Sequence, residues 1–205
     1  ALATIKELNK FGNKNFLIKA DFNLRNSVKE MIDSLLKETS SLDVLVNNAG
    51  WTKYVNDSDL ESLPIEDFQK VVRINLESVF SIIKESISLL NNKESNIINI
   101  SSIAGYNAIG SNIAYCAAKA GVISLTKSFA KILGPNIRVN GIAPGLTNTE
   151  MTLNSPEEYY EFQKKITPMN RIAEPNDIAE VALSLVNNMK FVNGKTIVVD
   201  GGRLN

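Results

Sequence analysis

Histidine is absent from the 205 residues, and cysteine occurs once, at Cys116. Without histidine there is no Ser-His-Asp triad, no Cys-His pair and no His-ligated zinc, and no metal site is expected. Acid–base chemistry near neutral pH must come from a retuned Tyr, Lys, Asp, Glu or Cys. One cysteine excludes an intramolecular disulfide framework and points to a reducing, cytoplasmic compartment. Net charge is lacking too: 22 Lys plus Arg balance 22 Asp plus Glu. No basic field therefore calls for nucleic acid or an anionic membrane. No apolar run reaches the ~18 residues of a membrane span, and the amino end does not read as a signal peptide. The remainder, 44% hydrophobic and 21% charged, predicts one soluble domain over residues 1–205. Asparagine is abundant at 25 residues. A coding bias explains that better than selection at each site, so a lone Asn carries little functional weight.

Apolar strands and amphipathic helices alternate along the chain. Leu2, Ile5, Leu8 and Phe11 recur at three-residue steps and predict a helix over Ala1–Phe11, stopped by Gly12. Further helices are expected over Ser27–Glu38, Ile65–Leu90, Ile113–Ile132 and Asn176–Val186. Short, continuously apolar strands are expected at Asn15–Ala20, Leu42–Val46, Asn96–Ser101, Asn136–Ala143 and Thr196–Val199. That alternation predicts an α/β domain, a doubly wound parallel sheet of Rossmann-like type. Ligands of such sheets bind beyond the carboxyl ends of the strands. Three strands end in polar or Gly-rich segments, at Asn47–Gly50, Ser101–Gly105 and Pro144–Glu150, and these should assemble the site.

The Gly-rich turn that cradles pyrophosphate in a Rossmann domain is missing. No G-x-G-x-x-G occurs, and no strand precedes the first helix. The expectation is a chain lacking a first βαβ portion of about 30 or more residues.

Tyr115 and Lys119 stand four apart in the helix after the strand ending at Ser101. That spacing sets them on one face with Cβ atoms ~5–6 Å apart. A phenol titrates near ~10, too high for easy proton exchange at neutral pH. A cation about 4 Å away, partly shielded, is worth up to ~4 kcal/mol, which could bring the phenol toward ~7. Without histidine, this pair is the best proton-transfer device the chain offers. Taken alone, it is also compatible with a half-buried Tyr beside a solvated Lys.

The surrounding blocks decide the matter. Asn47-Asn48-Ala49-Gly50, Ser102 thirteen residues before Tyr115, and Tyr115-x-x-x-Lys119 resemble the short-chain dehydrogenases/reductases. So do Arg73-Ile74-Asn75, Arg138-Val139-Asn140, Ala143-Pro144-Gly145, Arg171 to Pro175 and the closing Val199-Asp200-Gly201-Gly202. The resemblance runs from about residue 1 to 205 in order; the family's T-G-x-x-x-G-x-G turn is what departs.

The resemblance implies an NAD(P)-dependent oxidoreductase, nearest in look to 3-oxoacyl-[acyl-carrier-protein] reductases. Tyr115 would exchange the proton with the substrate oxygen, and Ser102 would polarise the carbonyl. Lys119 would lower the phenol pKa and hold the nicotinamide ribose, and Asn75 would bend its helix and hold a relay water. Asn48, Ala49 and Gly50 would line the adenosine side, with Asp21 and Phe22 at the adenine. Pro144, Gly145, Thr147 and Thr149 would approach the carboxamide and phosphates. Cys116 is read as a small packing residue. The segment from Thr149 to Pro168 would be either a mobile lid over substrate or an ordinary surface helix. The cofactor is NADP or NAD, with NADP favoured by the reductase resemblance. The substrate would be a small-molecule or acyl-carrier-protein-bound carbonyl. Lys93, Lys127 and Lys131 are candidates for docking an acidic carrier, or plain solvated surface. A homotetramer or homodimer is implied. Sugar, steroid or small-alcohol substrates, or a non-catalytic partner subunit, are the alternatives.

Overall fold

The computed structural model describes residues 2–12, 14–56, 59–90, 94–152 and 156–204. Four parallel strands form one sheet in the order β1 (Val44–Asn47), β2 (Ser95–Ile100), β3 (Ile137–Pro144) and β4 (Thr196–Val199). The register sets Val46 beside Ile98, Ile98 beside Asn140 and Ile142 beside Ile197. Side chains alternate across a strand, so each strand feeds two cores. Ile97, Ile137 and Val139 point to one face, against Val79, Ile83, Val122 and Phe129. These four belong to α4 (Ser78–Ser86) and α6 (Ile113–Leu133). Ile98 and Ile142 point to the other face, against Leu185 of α8 (Pro175–Asn187). Helices on both faces of a parallel sheet make this the doubly wound α/β fold that the alternation predicts.

A third cluster joins α2 (Ser27–Leu35) to α4 and the turn after it through Val28, Ile32, Ile82 and Leu89. The first helix, α1 (Leu2–Asn9), buries none of its residues. Its expected stop is real: Gly12 adopts φ +73°, a conformation only glycine takes without strain.

Two expectations need correction. Residues 15–20 do not form a strand. A strand exists through backbone pairing, and no described strand runs beside them. The long helix expected over Ile65–Leu90 is broken in kind. It comprises α3 (Ile65–Val72), a π-helical turn over Arg73–Glu77, and α4, ending at Ser86. Between β2 and α6 lies a short helix, α5 (Ala104–Asn107), that the periodicity does not reveal. A further helix, α7 (Glu157–Lys165), occupies the segment read as lid or surface helix.

Several of the sequence blocks turn out to be joints. Arg138 donates to the carbonyls of Leu185, Val186 and Met189, closing the carboxyl end of α8. The other end of α8 carries a capping box between Glu174 and Asp177, with Pro175 in its first turn. Arg171 grips Asp177 through both guanidinium nitrogens, at 2.6 and 2.8 Å. Among the described residues, no helix is long and apolar enough to cross a membrane.

Candidate active site

The carboxyl ends of β1, β2 and β3 bring the three polar segments together, as the sheet topology requires. Beyond β2, Ser102 shares a hydrogen bond with the Tyr115 hydroxyl. Tyr115 sits in the first turn of α6, whose cap is Asn112: its side chain accepts the Tyr115 N–H at 2.9 Å. One turn on, Lys119 is 5% exposed, and its ammonium donates to the Ile100 carbonyl at 2.9 Å. The Lys119 Nζ lies 5.6 Å from the centre of the Tyr115 ring. Helical spacing thus does place both groups on one face.

The electrostatics differ from the expectation. Burial raises the Tyr115 phenol above its ordinary value, while the Ser102 hydrogen bond pulls it down and Cys116 adds to the rise. Burial also pushes Lys119 down to about 8. The lysine ammonium, turned toward the Ile100 carbonyl, does not bring the phenol toward neutrality in this arrangement. A phenol held protonated suits a proton donor.

Asn75 lies in the π-helical turn and is fully buried. Its Nδ2 donates to the Trp51 carbonyl at 2.6 Å and to the Val71 carbonyl at 2.9 Å. A π-turn frees backbone groups from the regular helical ladder, and such turns cluster at functional sites. The Asn75 Oδ1 has no partner among the described residues although it is buried. A buried acceptor without a partner is costly, so this oxygen is available to a ligand or water. Gly50 faces it: a Cβ there would stand 2.9 Å from that oxygen.

The remaining candidates divide. Asn48 and Ala49 are exposed at the end of β1, whereas Asn47 is buried and bonded to Asn99 of β2 at 2.8 Å. Gly145 follows β3 and donates to the Val199 carbonyl at 2.9 Å. The carbonyl of Pro144 accepts the Ile103 N–H at 3.0 Å, joining the β3 end to the Ser102 turn. Thr147 donates to the Gly145 carbonyl at 3.2 Å, and exposed Thr149 accepts, at its carbonyl, the Thr152 hydroxyl at 2.9 Å. Both threonines are thus engaged within their own loop. Asp21 is exposed and closes a turn on the Asn23 N–H at 2.9 Å. Phe22 packs against the α2–α4 cluster, so much of its ring supports the core. Arg73 holds that turn by donating to the Asn23 carbonyl and side chain at 3.2 and 3.1 Å. The turn at residues 21–23 is therefore fastened to the π-turn that carries Asn75.

Three further residues support the site, two of them inside the Ser101–Gly105 segment. Ser101, beside Ser102, donates to the Lys119 carbonyl at 2.8 Å and docks β2 onto α6. Gly105 lets α5 touch the same helix: a Cβ there would lie 2.8 Å from Ala120 N and from the Lys119 carbonyl carbon. Asn112 is the third; its position just before a helix is a readable cap signal, obscured by the general excess of Asn.

These observations fit a nicotinamide cofactor: an unpartnered buried acceptor, a glycine cradle and a buried lysine with one protein acceptor meet at the strand ends. Comparison with known proteins agrees. Residues 1–203 match the family model described as enoyl-(acyl carrier protein) reductase. The 3-oxoacyl-[acyl-carrier-protein] reductase of Thermotoga maritima is 36% identical over 181 residues, 87% of this chain and 72% of that protein. The solved 3-oxoacyl-[acyl-carrier protein] reductase of Brucella melitensis superposes with a TM-score of 0.86 at 30% identity, covering 98% of this chain and 76% of that one. The RhlG/NADP active-site complex of Pseudomonas aeruginosa gives 0.82 at 34% identity, covering 91% and 75%. The chain belongs to the short-chain dehydrogenase/reductase family of NAD(P)-dependent oxidoreductases.

Proposed function

We propose that this single domain reduces a ketone, in first place a 3-oxoacyl thioester, to a secondary alcohol. The bound nicotinamide supplies the hydride. Tyr115 donates the proton to the substrate oxygen, and Ser102, hydrogen-bonded to the same hydroxyl, donates to that oxygen as negative charge develops on it. Lys119 holds the ribose hydroxyls through its buried ammonium, and Asn75 offers its unpartnered Oδ1 to a relay water. Asp21, Phe22, Asn48, Ala49 and Gly50 form the adenosine side; Pro144, Gly145, Thr147 and Thr149 form the nicotinamide side. The observation that carries this reading is the Ser102–Tyr115 hydrogen bond beside a buried lysine one turn away. Burial keeps the phenol protonated, which matches reduction better than oxidation.

NADP is the favoured cofactor, supported by the reductase relatives and by the NADP named in the Pseudomonas aeruginosa complex. A cytoplasmic location accords with the single cysteine. The enzyme would be a homotetramer or homodimer. An apolar groove between α3–α4 and α6, lined by Val72, Leu76, Phe80, Gly121 and Leu125, supports such pairing. A monomeric mass by light scattering at micromolar concentration would remove it.

The test of the chemistry is Tyr115→Phe. It should lower kcat to under a few per cent while NADPH binds with unchanged affinity, whereas Lys119→Ala should damage both. Turnover retained by Tyr115→Phe would sink the mechanism.

A further inference from the structure

Asn112 is 1% exposed and uses both ends of its amide. While its Oδ1 caps α6 at Tyr115, its Nδ2 donates to the Lys53 carbonyl at 2.6 Å and to the Thr52 hydroxyl at 3.1 Å. The Thr52 and Ser111 hydroxyls share a hydrogen bond, and the Val55 N–H donates to the Ser111 carbonyl at 2.8 Å. One residue earlier, the Trp51 carbonyl accepts from Asn75. A hydrogen-bonded ribbon thus runs from the Tyr115 backbone through Asn112 and the loop after Gly50 to Asn75.

Capping alone needs only an acceptor; serine or aspartate serves as well. The two bonds from Nδ2 are extra, and they fasten residues 51–55 to the first turn of α6. We propose that Asn112 is a positioning residue: its amide locks that loop to α6 and so sets Tyr115 and Asn75 in one frame. The proposal rests on Tyr115 as the proton donor. A misplacement of about 1 Å at a reacting group can cost ~10²-fold in rate, so a loosened loop should be felt in kcat.

Asn112→Ser and Asn112→Asp each keep a capping acceptor and lose the amide Nδ2 that reaches Lys53 and Thr52. Trp51, the single tryptophan, lies in the tethered loop and reports on it by fluorescence without any turnover. In the full chain, Asn112→Ser should fold, with a Tm lowered by several degrees for the two buried hydrogen bonds it loses. Its kcat for ketone reduction should fall about 10- to 100-fold with the cofactor KM within about 2-fold. Trp51 emission should shift to the red and become more open to acrylamide. Thr52→Val, which removes one of the two acceptors, should move both readouts in the same direction by less. Together with Asn112→Ser it should add little, because the tether is already gone. Parental kcat and Trp51 emission in Asn112→Ser and Asn112→Asp would overturn the proposal. So would a fall in activity that only tracks lost folded protein while Trp51 stays unshifted. Tyr115→Phe assayed alongside separates the two ideas. Retained turnover there defeats the proton-donor role, while the Trp51 shift still reads the tether.

Discussion

Gly50 faces Asn75 with no room for a side chain: a Cβ on residue 50 would stand 2.9 Å from the Asn75 Oδ1 and 3.9 Å from the Lys119 Nζ. The glycine is thus required by space at the point where β1, the π-turn and α6 converge. Gly50→Ala must displace the Asn75 amide or the strand end. It should lower kcat by at least about tenfold and weaken NADPH binding, with unfolding changed by ~1–3 kcal/mol from overpacking. Steady-state kinetics and cofactor titration check this; parental values for both would show the contact to be slack.

Lys119 gives a pH dependence with a definite sign. Its pKa in the folded protein is about 8, against 10.5 for the free side chain. Between those values the unfolded chain binds the proton that the native state has released, so stability rises with pH across that window. Full titration corresponds to a gain on the order of 3 kcal/mol at ~1.4 kcal/mol per unit. Tyr115 has the opposite sign, but its raised pKa acts only above its ordinary value of 10.0. Denaturant unfolding of the cofactor-free protein at pH 7.5, 8.5 and 9.5 should show the rise, and Lys119→Met should abolish it. A flat profile shared by both proteins would place the lysine in water.

Asn99 is fully buried in β2 and joins two layers. It accepts from Asn47 of β1 at 2.8 Å and donates to the Thr126 hydroxyl of α6 at 3.0 Å. Asn99→Ala strands the Asn47 amide and opens a cavity. The expected cost is about 1–3 kcal/mol for the unpaired group, and more if the cavity stays open. Chemical denaturation measures it, and a change below ~0.5 kcal/mol would mean that water replaces the amide.

Docking of an acyl-carrier protein predicts salt sensitivity. Lys127 and Lys131 are exposed on the outer side of α6; Lys93 lies outside the described residues. If these lysines steer an acidic carrier, reduction of the carrier-bound thioester should be inhibited by salt far more than that of a small ketoester. Lys131→Glu should raise KM for the carrier substrate alone. Equal salt sensitivity would leave the lysines as solvated surface and favour a small free substrate.

The sequence by itself determined that the sheet is parallel and covered on both faces. Ile97, Ile98, Val139 and Ile142 are apolar on both faces because helices cover both sides of the sheet, and that pattern is legible without coordinates. It also determined the shared face of Tyr115 and Lys119, since four residues of helix fix that by geometry alone. The segment 15–20 shows the limit: an apolar run has strand propensity, but only a neighbouring backbone makes it a strand. The π-turn at Arg73–Glu77 was likewise beyond reach, because one extra residue in a helical turn leaves the apolar pattern continuous. The phenol pKa depended on burial and on where the Lys119 ammonium points. Spacing places a charge near a hydroxyl, but only the packed interior decides whether desolvation or attraction prevails, because both scale with the local dielectric. Asn112 resembles two dozen other asparagines in the sequence. Tertiary structure alone singles it out, by enclosing its amide between two backbone segments that are 59 residues apart in the chain.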